Sequence, residues 1–289
     1  MLNTIRENIE RRLGIARDLP VTERALVENI GTIAGRYRNW RANDDLANYP
    51  FVENKNVPFT PMRRALPMLN LALISSAGAY IDGTEAFEVT ARDGDATFRE
   101  IPIEVEAEDL LYAGRGYDMT AVREDRNAQI PVDRLFEYQE NGVIGQLNNV
   151  WWSLNGWIPN AQIVAEELAP KIAERVARYE VQAAILIPAS RLCHQTLGIV
   201  ARALEMANVP TIMLSVDRKA SDLVRPPRTA YYEGSFGSVA GKPNWKQYQL
   251  RVLDESLRWI ETFDQPGAKR LGVKLETEVE QERGEQGNH

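Results

Sequence analysis

Cysteine and histidine are scarce in this chain. Its 289 residues include one cysteine, Cys193, and two histidines, His194 and His289. A single cysteine excludes a disulfide within the chain, and these three side chains are too few for a closed structural zinc site. We therefore assign no metal site, although the supply of carboxylates leaves a carboxylate-rich one open.

Long apolar runs and a positive net charge are also missing. No stretch approaches the roughly 20 apolar residues of a membrane-spanning helix, and the start, MLNTIRENIERRLGIARD, carries charges at short intervals, unlike a secretion signal. The formal net charge is -7 and the pI about 5.2, so the molecule's field repels nucleic-acid phosphates and anionic lipids. We expect a cytoplasmic protein that binds neither nucleic acid nor membranes.

Several common catalytic motifs have no match. The sequence contains no Gly-x-Ser-x-Gly, no nucleotide-binding glycine loop, no His-Glu-x-x-His and no calcium loop. Hydrolase and NTPase functions therefore have no motif to support them.

Short apolar runs begin at residue 69, and longer amphipathic stretches separate them. The apolar runs cover residues 69–75, 143–147, 182–188 and 210–216, and the amphipathic stretches cover 131–140, 160–179, 194–207 and 244–263. The runs lack strict alternation, which is typical of strands covered on both faces. Strands that alternate with helices predict an α/β fold, with an open, mainly parallel sheet and helices on both faces, as in flavodoxin-like and Rossmann-like folds.

Three regions are predicted along the chain. Residues 1–60 form an N-terminal helical extension, with two helices split near residues 18–20 and a proline-rich strap that begins at 48. Residues 61–265 form the α/β domain. Residues 266–289 are predicted to be an acidic, flexible tail because its end has almost no apolar side chains.

The stretch PASRLCHQT places Cys193 and His194 where the strand at 182–188 gives way to a helix. Ligands of open α/β sheets bind beyond the carboxyl ends of the strands, so this loop is the first candidate site. A helix N-terminus lowers the pKa of a nearby thiol, and His194 could carry protons. The alternative is a small buried cysteine that packs the first helical turn, with His194 in solvent.

A second strand end supplies small residues. Ser75, Ser76 and Gly78 lie at and after the end of the run at 69–75. Such residues let backbone amides approach an anionic or carboxylate group, although an ordinary turn explains them equally well.

Tryptophans are concentrated just after the run at 143–147. Trp151, Trp152 and Trp157 are three of the six in the chain. They could wall a pocket for an apolar or cationic ring, or instead cover the sheet or a subunit interface.

Charged and polar side chains crowd residues 94–135. They include Arg99, Glu100, Arg115, Asp118, Asp125, Arg126, Asn127 and Asp133. A carboxylate-binding arginine and a general acid could come from this set, whereas charges in loops are otherwise simply solvated.

Taken together, five segments resemble a known family. They read ALISSAGAYI, GDATFREIP, GYD followed by DRNAQIPVDRL, GVIGQL, and CHQTLGIVARALEMANVPTIML, and the likeness runs from about Leu69 to Glu261. In this order and spacing they resemble the selenoprotein B subunits of D-proline, glycine, sarcosine and betaine reductases, most closely the D-proline branch. The N-terminal helices and the acidic tail lie outside the likeness.

The resemblance implies a redox loop. In that family a selenocysteine ends the strand, and a cysteine follows it after two intervening residues. The selenol reacts with a substrate unit that a pyruvoyl group on a partner subunit activates, and the thiol then closes a selenosulfide. These positions correspond to Ser190 and Cys193. A serine hydroxyl neither forms a selenosulfide nor attacks carbon without a dedicated base, so the chain is a homologue without the redox pair.

A further departure lies at YAGRGYD, where the proline reductases resemble His-Gly-Gly-Tyr-Asp. Their histidine corresponds to Gly114, and Arg115 stands beside it. The resemblance adds Tyr117 to the residues expected to bind substrate. Apart from these departures, the motif residues that this sequence shares with the family are Arg99, Glu100, Tyr117, Asp118, Asp125, Asn127, Asp133, Cys193 and His194.

Three functions are consistent with these residues. The first is a reductase-like enzyme acting on a small nitrogen-containing substrate, with Cys193 as a lone thiolate and Ser190 as a hydrogen-bond donor. No cofactor is identified in the sequence, and the possible reacting groups from outside the chain are an external thiol and a partner subunit's pyruvoyl group. The second is non-redox chemistry by His194 with Asp118 or Glu100 as acid and base. The third is a non-catalytic subunit that binds a partner. We also expect a homo-oligomer.

Overall fold

Short runs of leucine, isoleucine and alanine form the strands of a mainly parallel sheet. The computed structural model describes residues 26–41 and 46–273. Its strands are β1 (Asn70–Ser75), β2 (Ala79–Ile81), β3 (Phe98–Pro102), β4 (Leu110–Tyr112), β5 (Gln146–Leu147), β6 (Val150–Leu154), β7 (Ala183–Ile187), β8 (Thr211–Ser215), β9 (Arg228–Tyr231) and β10 (Gly267–Arg270).

The large sheet has the order β10-β9-β8-β7-β1-β6-β3, and β5 pairs with β1 beside β6. All of its pairings are parallel except that of β3 with β6. Strands β2 and β4 form a separate antiparallel pair. The predicted mainly parallel sheet is confirmed.

Helices flank the sheet. They are α1 (Ile30–Arg41), α2 (Thr120–Glu124), α3 (Val132–Glu140), α4 (Ala161–Ile163), α5 (Ala169–Arg178), α6 (Arg191–Met206), α7 (Arg218–Val224) and α8 (Lys246–Thr262). A π-helical turn, Val164–Leu168, joins α4 to α5. Among the described residues, no helix is both long and apolar enough to span a bilayer.

The sheet is covered on both faces, as predicted. Side chains of a strand alternate between faces, and in β1 Ala72 and Ile74 enter one apolar core while Leu71 and Leu73 enter the other. The first core holds apolar residues of α1, α5, α6 and α7. The second holds those of α3 and α8.

One predicted strand is wrong. The run at 143–147 contributes only the two-residue β5, and the longer strand beside β1 is β6. This strand lies in the segment whose tryptophans were expected to wall a pocket or to cover the sheet or a subunit interface. Trp151 and Trp152 lie on successive positions of β6, so they point to opposite faces and both are buried. Aromatic side chains suit such a strand, which explains why β6 forms here.

The two ends of the described chain join the same body. Ile33, Tyr37 and Trp40 of α1 enter the first core together with β1, and the strap buries Val52 fully. At the other end, β10 pairs with β9 after the boundary predicted at residue 265. The predicted first helix and most of the predicted tail lie outside the described residues.

Parallel pairing fixes where the functional loops lie. Strands β1, β6, β7 and β8 run in the same direction, so the segments that follow them meet at one edge of the sheet. We call this edge the carboxyl edge.

A buried ion pair attaches the strap to the sheet. Arg228 and Glu205 are fully buried side chains, 2.5 Å apart, and Arg228 also donates to the Thr60 carbonyl at 2.7 Å. Burial raises the pKa of Glu205 to about 7 although Arg228 opposes the shift, and burial lowers the pKa of Arg228. Desolvation is therefore the larger effect on both groups.

Removing one partner of this pair should destabilise the fold more than removing both. Arg228→Met leaves Glu205 as an unpaired buried charge, so we expect the free energy of unfolding to fall by about 3–5 kcal/mol. Combining it with Glu205→Gln should recover part of that loss, as measured by denaturant unfolding. A double variant that loses as much as the two single variants together would contradict this account.

Candidate active site at the carboxyl edge

Ser190 caps the helix that carries the only cysteine. Its backbone is extended (φ -139°, ψ 173°), and its Oγ accepts the Cys193 amide hydrogen at 3.3 Å. The same hydroxyl lies 2.9 Å from Cys193 Sγ and donates to it. The cap therefore begins α6 three residues earlier than the helix predicted at 194, and it places the two side chains in contact.

Loops from β1 and β6 enclose the thiol. Ser76 Oγ accepts the Ala189 amide hydrogen at 2.9 Å and hydrogen-bonds the thiol from the β1 side. The Asn155 carbonyl accepts from Cys193 Sγ at 3.7 Å. Segments that follow three strands of the carboxyl edge, β1, β6 and β7, thus meet at one sulfur atom.

Gly156 closes this enclosure because it has no side chain. Its φ is +72°, and a Cβ there would lie 2.7 Å from Cys193 Sγ and 2.4 Å from Ser76 Cβ. Thr196 holds the loop down by donating to the Gly156 carbonyl at 2.7 Å. Cys193 is fully buried as a result.

The electrostatics of the thiol differ from the sequence prediction. Burial raises the pKa of Cys193, and the hydroxyls of Ser190 and Ser76 and the amides of Ala189 and Ser190 oppose that shift. The predicted depression of the thiol pKa is therefore wrong for this conformation, because desolvation outweighs the helix terminus and its donors. The same donors would stabilise a thiolate if water or substrate reached the sulfur.

His194 is buried, not solvated as the alternative for this loop assumed. Its Nδ1 lies 2.7 Å from the Ser190 carbonyl, and burial lowers the pKa of the ring to about 4. Because a carbonyl only accepts, Nδ1 of the neutral ring carries the hydrogen and Nε2 is an acceptor. Nε2 has no hydrogen-bond partner among the described residues.

Tyr117 joins the site from the loop after β4. Its hydroxyl donates to the Ala77 carbonyl at 2.6 Å, and after burial the nearby Cys193 is the largest cause that raises its pKa. A Cβ at Gly114 would lie 2.5 Å from this hydroxyl, so the glycine makes room for the ring.

Other predicted binding residues surround this centre. Ser75 lies on the buried end of β1 and donates to the Gln129 carbonyl at 3.2 Å. Gly78 donates to the Leu154 carbonyl at 2.7 Å, which fixes the turn after β1. The Arg115 guanidinium carbon lies 5.1 Å from the centroid of the ring of Trp157, the residue that follows Gly156.

Five predicted residues make their contacts elsewhere. Glu100 pairs with Arg175 at 2.5 Å and accepts a hydrogen bond from Trp152 Nε1 at 3.2 Å. The Arg99 guanidinium lies 4.3 Å from the centroid of the Phe87 ring. Asp118 accepts from Thr120 Oγ1 at 2.7 Å, and Asn127 donates to Asp133 at 2.6 Å. The proposed acid or base carboxylates are thus occupied, because Glu100 is neutralised by an arginine and Asp118 caps a turn in solvent. Trp152 packs inside the sheet and does not wall a pocket.

Sequence reasoning missed four residues: Asn155, Gly156, Phe236 and Gly237. The first two lie in the tryptophan-rich segment at 148–162, where the sequence pattern drew attention only to the tryptophans. The others lie in EGSFGS, residues 233–238, where two glycines flank an aromatic residue. Among the described residues, no group of three or more His, Cys, Asp and Glu side chains could hold a metal ion.

Fold and site together define an α/β protein with a thiol at the carboxyl edge of a parallel sheet. A model of the family "Glycine/sarcosine/betaine reductase selenoprotein B" matches residues 43–189, about half of the chain. The chain belongs to this family, as the sequence motifs indicated.

Curated relatives carry related names. The D-proline reductase subunit gamma of Acetoanaerobium sticklandii is 27% identical over 70% of this chain and 82% of its own length. The glycine reductase complex component B subunit gamma of Symbiobacterium thermophilum is 28% identical over 57% of this chain, and the sarcosine reductase complex component B subunit beta of Peptoclostridium acidaminophilum is 24% identical over 58%. The matches span only 38% of each of the latter two relatives. No solved structure matched the chain.

A methyl group at residue 156 should disturb the thiol enclosure. Gly156→Ala places a Cβ against Sγ, whereas Gly142, with φ +68°, has nothing within 4 Å of its Cβ position and serves as the matched control. In both variants the left-handed backbone should lower the free energy of unfolding by about 1–2 kcal/mol. Overpacking should lower it by a further ~1–3 kcal/mol in Gly156→Ala. Equal thermal midpoints for the two variants would contradict the described packing.

Proposed function

We propose that this chain is a reductase-family enzyme that acts on a small nitrogen-containing substrate, with Cys193 as its reacting thiol. The observation that carries the proposal is the 2.9 Å contact between Ser190 Oγ and Cys193 Sγ at the carboxyl edge. The resemblance places a selenium and sulfur pair at these two positions, and such a pair requires side chains in contact. The names of the three relatives, which are reductases of D-proline, glycine and sarcosine, suggest the substrate class.

The missing selenol changes where the electrons come from. In the proposed reaction, Cys193 thiolate attacks the carbon next to the substrate nitrogen, a carbon–sulfur bond forms, and the amine leaves with a proton. An external thiol then attacks the Cys193 sulfur, so the carbon leaves with the electron pair, takes a proton and is reduced. A second external thiol releases Cys193 as a thiol and departs as a disulfide.

The chain's own residues have limited roles in this scheme. Ser190 and Ser76 donate to the sulfur and stabilise the thiolate once the site is hydrated. The resemblance places the pyruvoyl group on a partner subunit, so none of this chain's residues is proposed to carry it. Since the relatives are named as subunits, we also propose that a partner subunit binds this chain.

Non-redox catalysis by His194 with Asp118 or Glu100 receives less support. The Glu100 carboxylate is bound to Arg175, and the Asp118 carboxylate caps the turn at Thr120. A non-catalytic subunit is the second candidate, because Cys193 and His194 are both fully buried.

A cysteine at position 190 should restore a redox pair. Ser190→Cys places a second sulfur beside Sγ, where the separation between Cβ atoms can approach the ~3.8 Å of a disulfide. Thr196→Cys is the matched control, since it is also three residues from Cys193 but lies within α6, where such Cβ atoms are about 5–6 Å apart. After mild oxidation, thiol titration of the unfolded protein should find no free thiols in the first variant and two in the second. Free thiols in both variants would contradict the pairing of these positions.

The proposed role of Cys193 is tested by turnover. The full chain, alone and with any co-purified partner, is incubated with D-proline, glycine or sarcosine and a dithiol, and reduced product is measured by mass spectrometry. Cys193→Ser should lower the rate at least about 100-fold, because a hydroxyl is a far weaker nucleophile. Ser256→Ala removes a buried hydroxyl on α8 that bonds to the Val252 carbonyl, and it should leave the rate unchanged. Full activity in Cys193→Ser would overturn the proposal, and a wild-type chain without turnover alongside a stable partner would favour the non-catalytic subunit.

A further inference from the structure

An unpaired acceptor lies on His194, the residue that follows Cys193. His194 Nε2 is buried and has no hydrogen-bond partner among the described residues, although Nδ1 of the same ring is bonded to Ser190. A buried acceptor without a donor costs free energy, and the retained groups of this kind call for an explanation. A ligand that supplies a donor would remove that cost.

The cover over this acceptor is a short exposed loop. Phe236 packs edge-on against the His194 ring, with 5.9 Å between centroids, although 37% of Phe236 remains exposed. Gly237 has φ +76° and donates to the Ala189 carbonyl at 2.9 Å, and a Cβ there would lie 2.5 Å from the Tyr117 ring. The loop thus contacts both His194 and the tyrosine next to Cys193.

The loop is anchored on either side and by two contacts within it, the exposed Glu233–Arg270 ion pair and the Gly237 amide that donates to the Ala189 carbonyl. Tyr232, at its start, donates through its backbone to Ser215, and Val239, at its end, donates to Gln129 Oε1 at 3.1 Å. Residues 233–236 between these anchors are exposed. A segment with two fixed ends, two glycines and an exposed aromatic tip can swing outward without unfolding the sheet.

We infer that residues 233–238 form a flap over a ligand site in which His194 Nε2 accepts a hydrogen from a substrate ammonium group that carries at least one N–H. This site deepens the proposed function and rests on it for the identity of the substrate as a nitrogen compound. Primary and secondary amino acids satisfy the acceptor, whereas a quaternary ammonium presents only methyl groups and leaves it unpaired.

The charge of the donor favours this class of ligand. Hydrogen bonds that involve an ionised donor are roughly twice as strong as neutral ones. The Asp217 carboxylate contributes a negative potential at His194, which Arg191 opposes.

Ligand selectivity tests the acceptor. Calorimetry compares glycine with trimethylglycine, and D-proline with its N,N-dimethyl derivative, on the full chain. We expect the N–H-bearing member of each pair to bind at least about 10-fold more tightly, the value of one charge-assisted hydrogen bond. His194→Phe should abolish this preference. His194→Asn keeps a short polar side chain, should also abolish the preference, and replaces the first variant if that variant folds poorly. Equal binding of both members to the wild-type chain, or binding of neither, would overturn the inference.

Access to the thiol tests the flap. Phe236→Ala should raise the rate at which Ellman's reagent labels Cys193 at least about 10-fold without lowering the thermal midpoint. Phe136→Ala is the matched control, because Phe136 on α3 is 41% exposed and is not in the loop. Equal labelling rates in wild type and Phe236→Ala would overturn the flap.

The two proposals can fail separately. Cys193→Ser should retain the preference for N–H-bearing ligands, because the acceptor is on His194. Loss of turnover without loss of this preference supports both proposals. Turnover that survives in Cys193→Ser, together with an intact preference, would remove the thiol mechanism and leave the ligand site in place.

Discussion

The site depends on one constraint, the parallel pairing of β1 with β6 on one side and β7 on the other. Parallel strands end at the same edge, so the loops that begin at Ser76, Asn155 and Pro188 converge. No single loop encloses the thiol, because the serine comes from one strand end, the carbonyl from another, and the cysteine from the helix after the third. A change in the register of β6 would withdraw Asn155 and Gly156 from the sulfur and open the enclosure.

Burial keeps the thiol and the imidazole neutral in this conformation. Desolvation raises the pKa of Cys193 and lowers the pKa of His194, so both groups resist charging. The hydrogen-bond donors around the sulfur are already positioned, and only the exclusion of water opposes ionisation. A thiol held in this way is protected from oxidation until a ligand or a partner changes its surroundings.

The sequence predicted the sheet well, but it did not predict where every site residue makes its contacts. The runs that became β1, β7 and β8 are mostly apolar and lack strict alternation, and the helices between them are amphipathic, so a two-sided sheet followed from pattern alone. Strand β6 was not predicted because the neighbouring apolar run at 143–147 matches a strand, and the tryptophans after it suit a pocket wall or a cover of the sheet equally well. The pairing of Ser190 with Cys193 came from the family resemblance, and the helix cap brings the two side chains into contact. The occupation of Glu100 by Arg175 could not be predicted, since the two residues are 75 positions apart and meet only through tertiary packing.

The last strand has a consequence for assembly. β10 lies at one edge of the sheet, and three of its four residues are exposed, including Lys269 and Arg270. Positively charged side chains on an edge strand discourage a second sheet from pairing with it, because the like charges would face one another. At this end of the molecule, sheets of two copies should not join into a continuous one, so any subunit association there must be made by helices and loops.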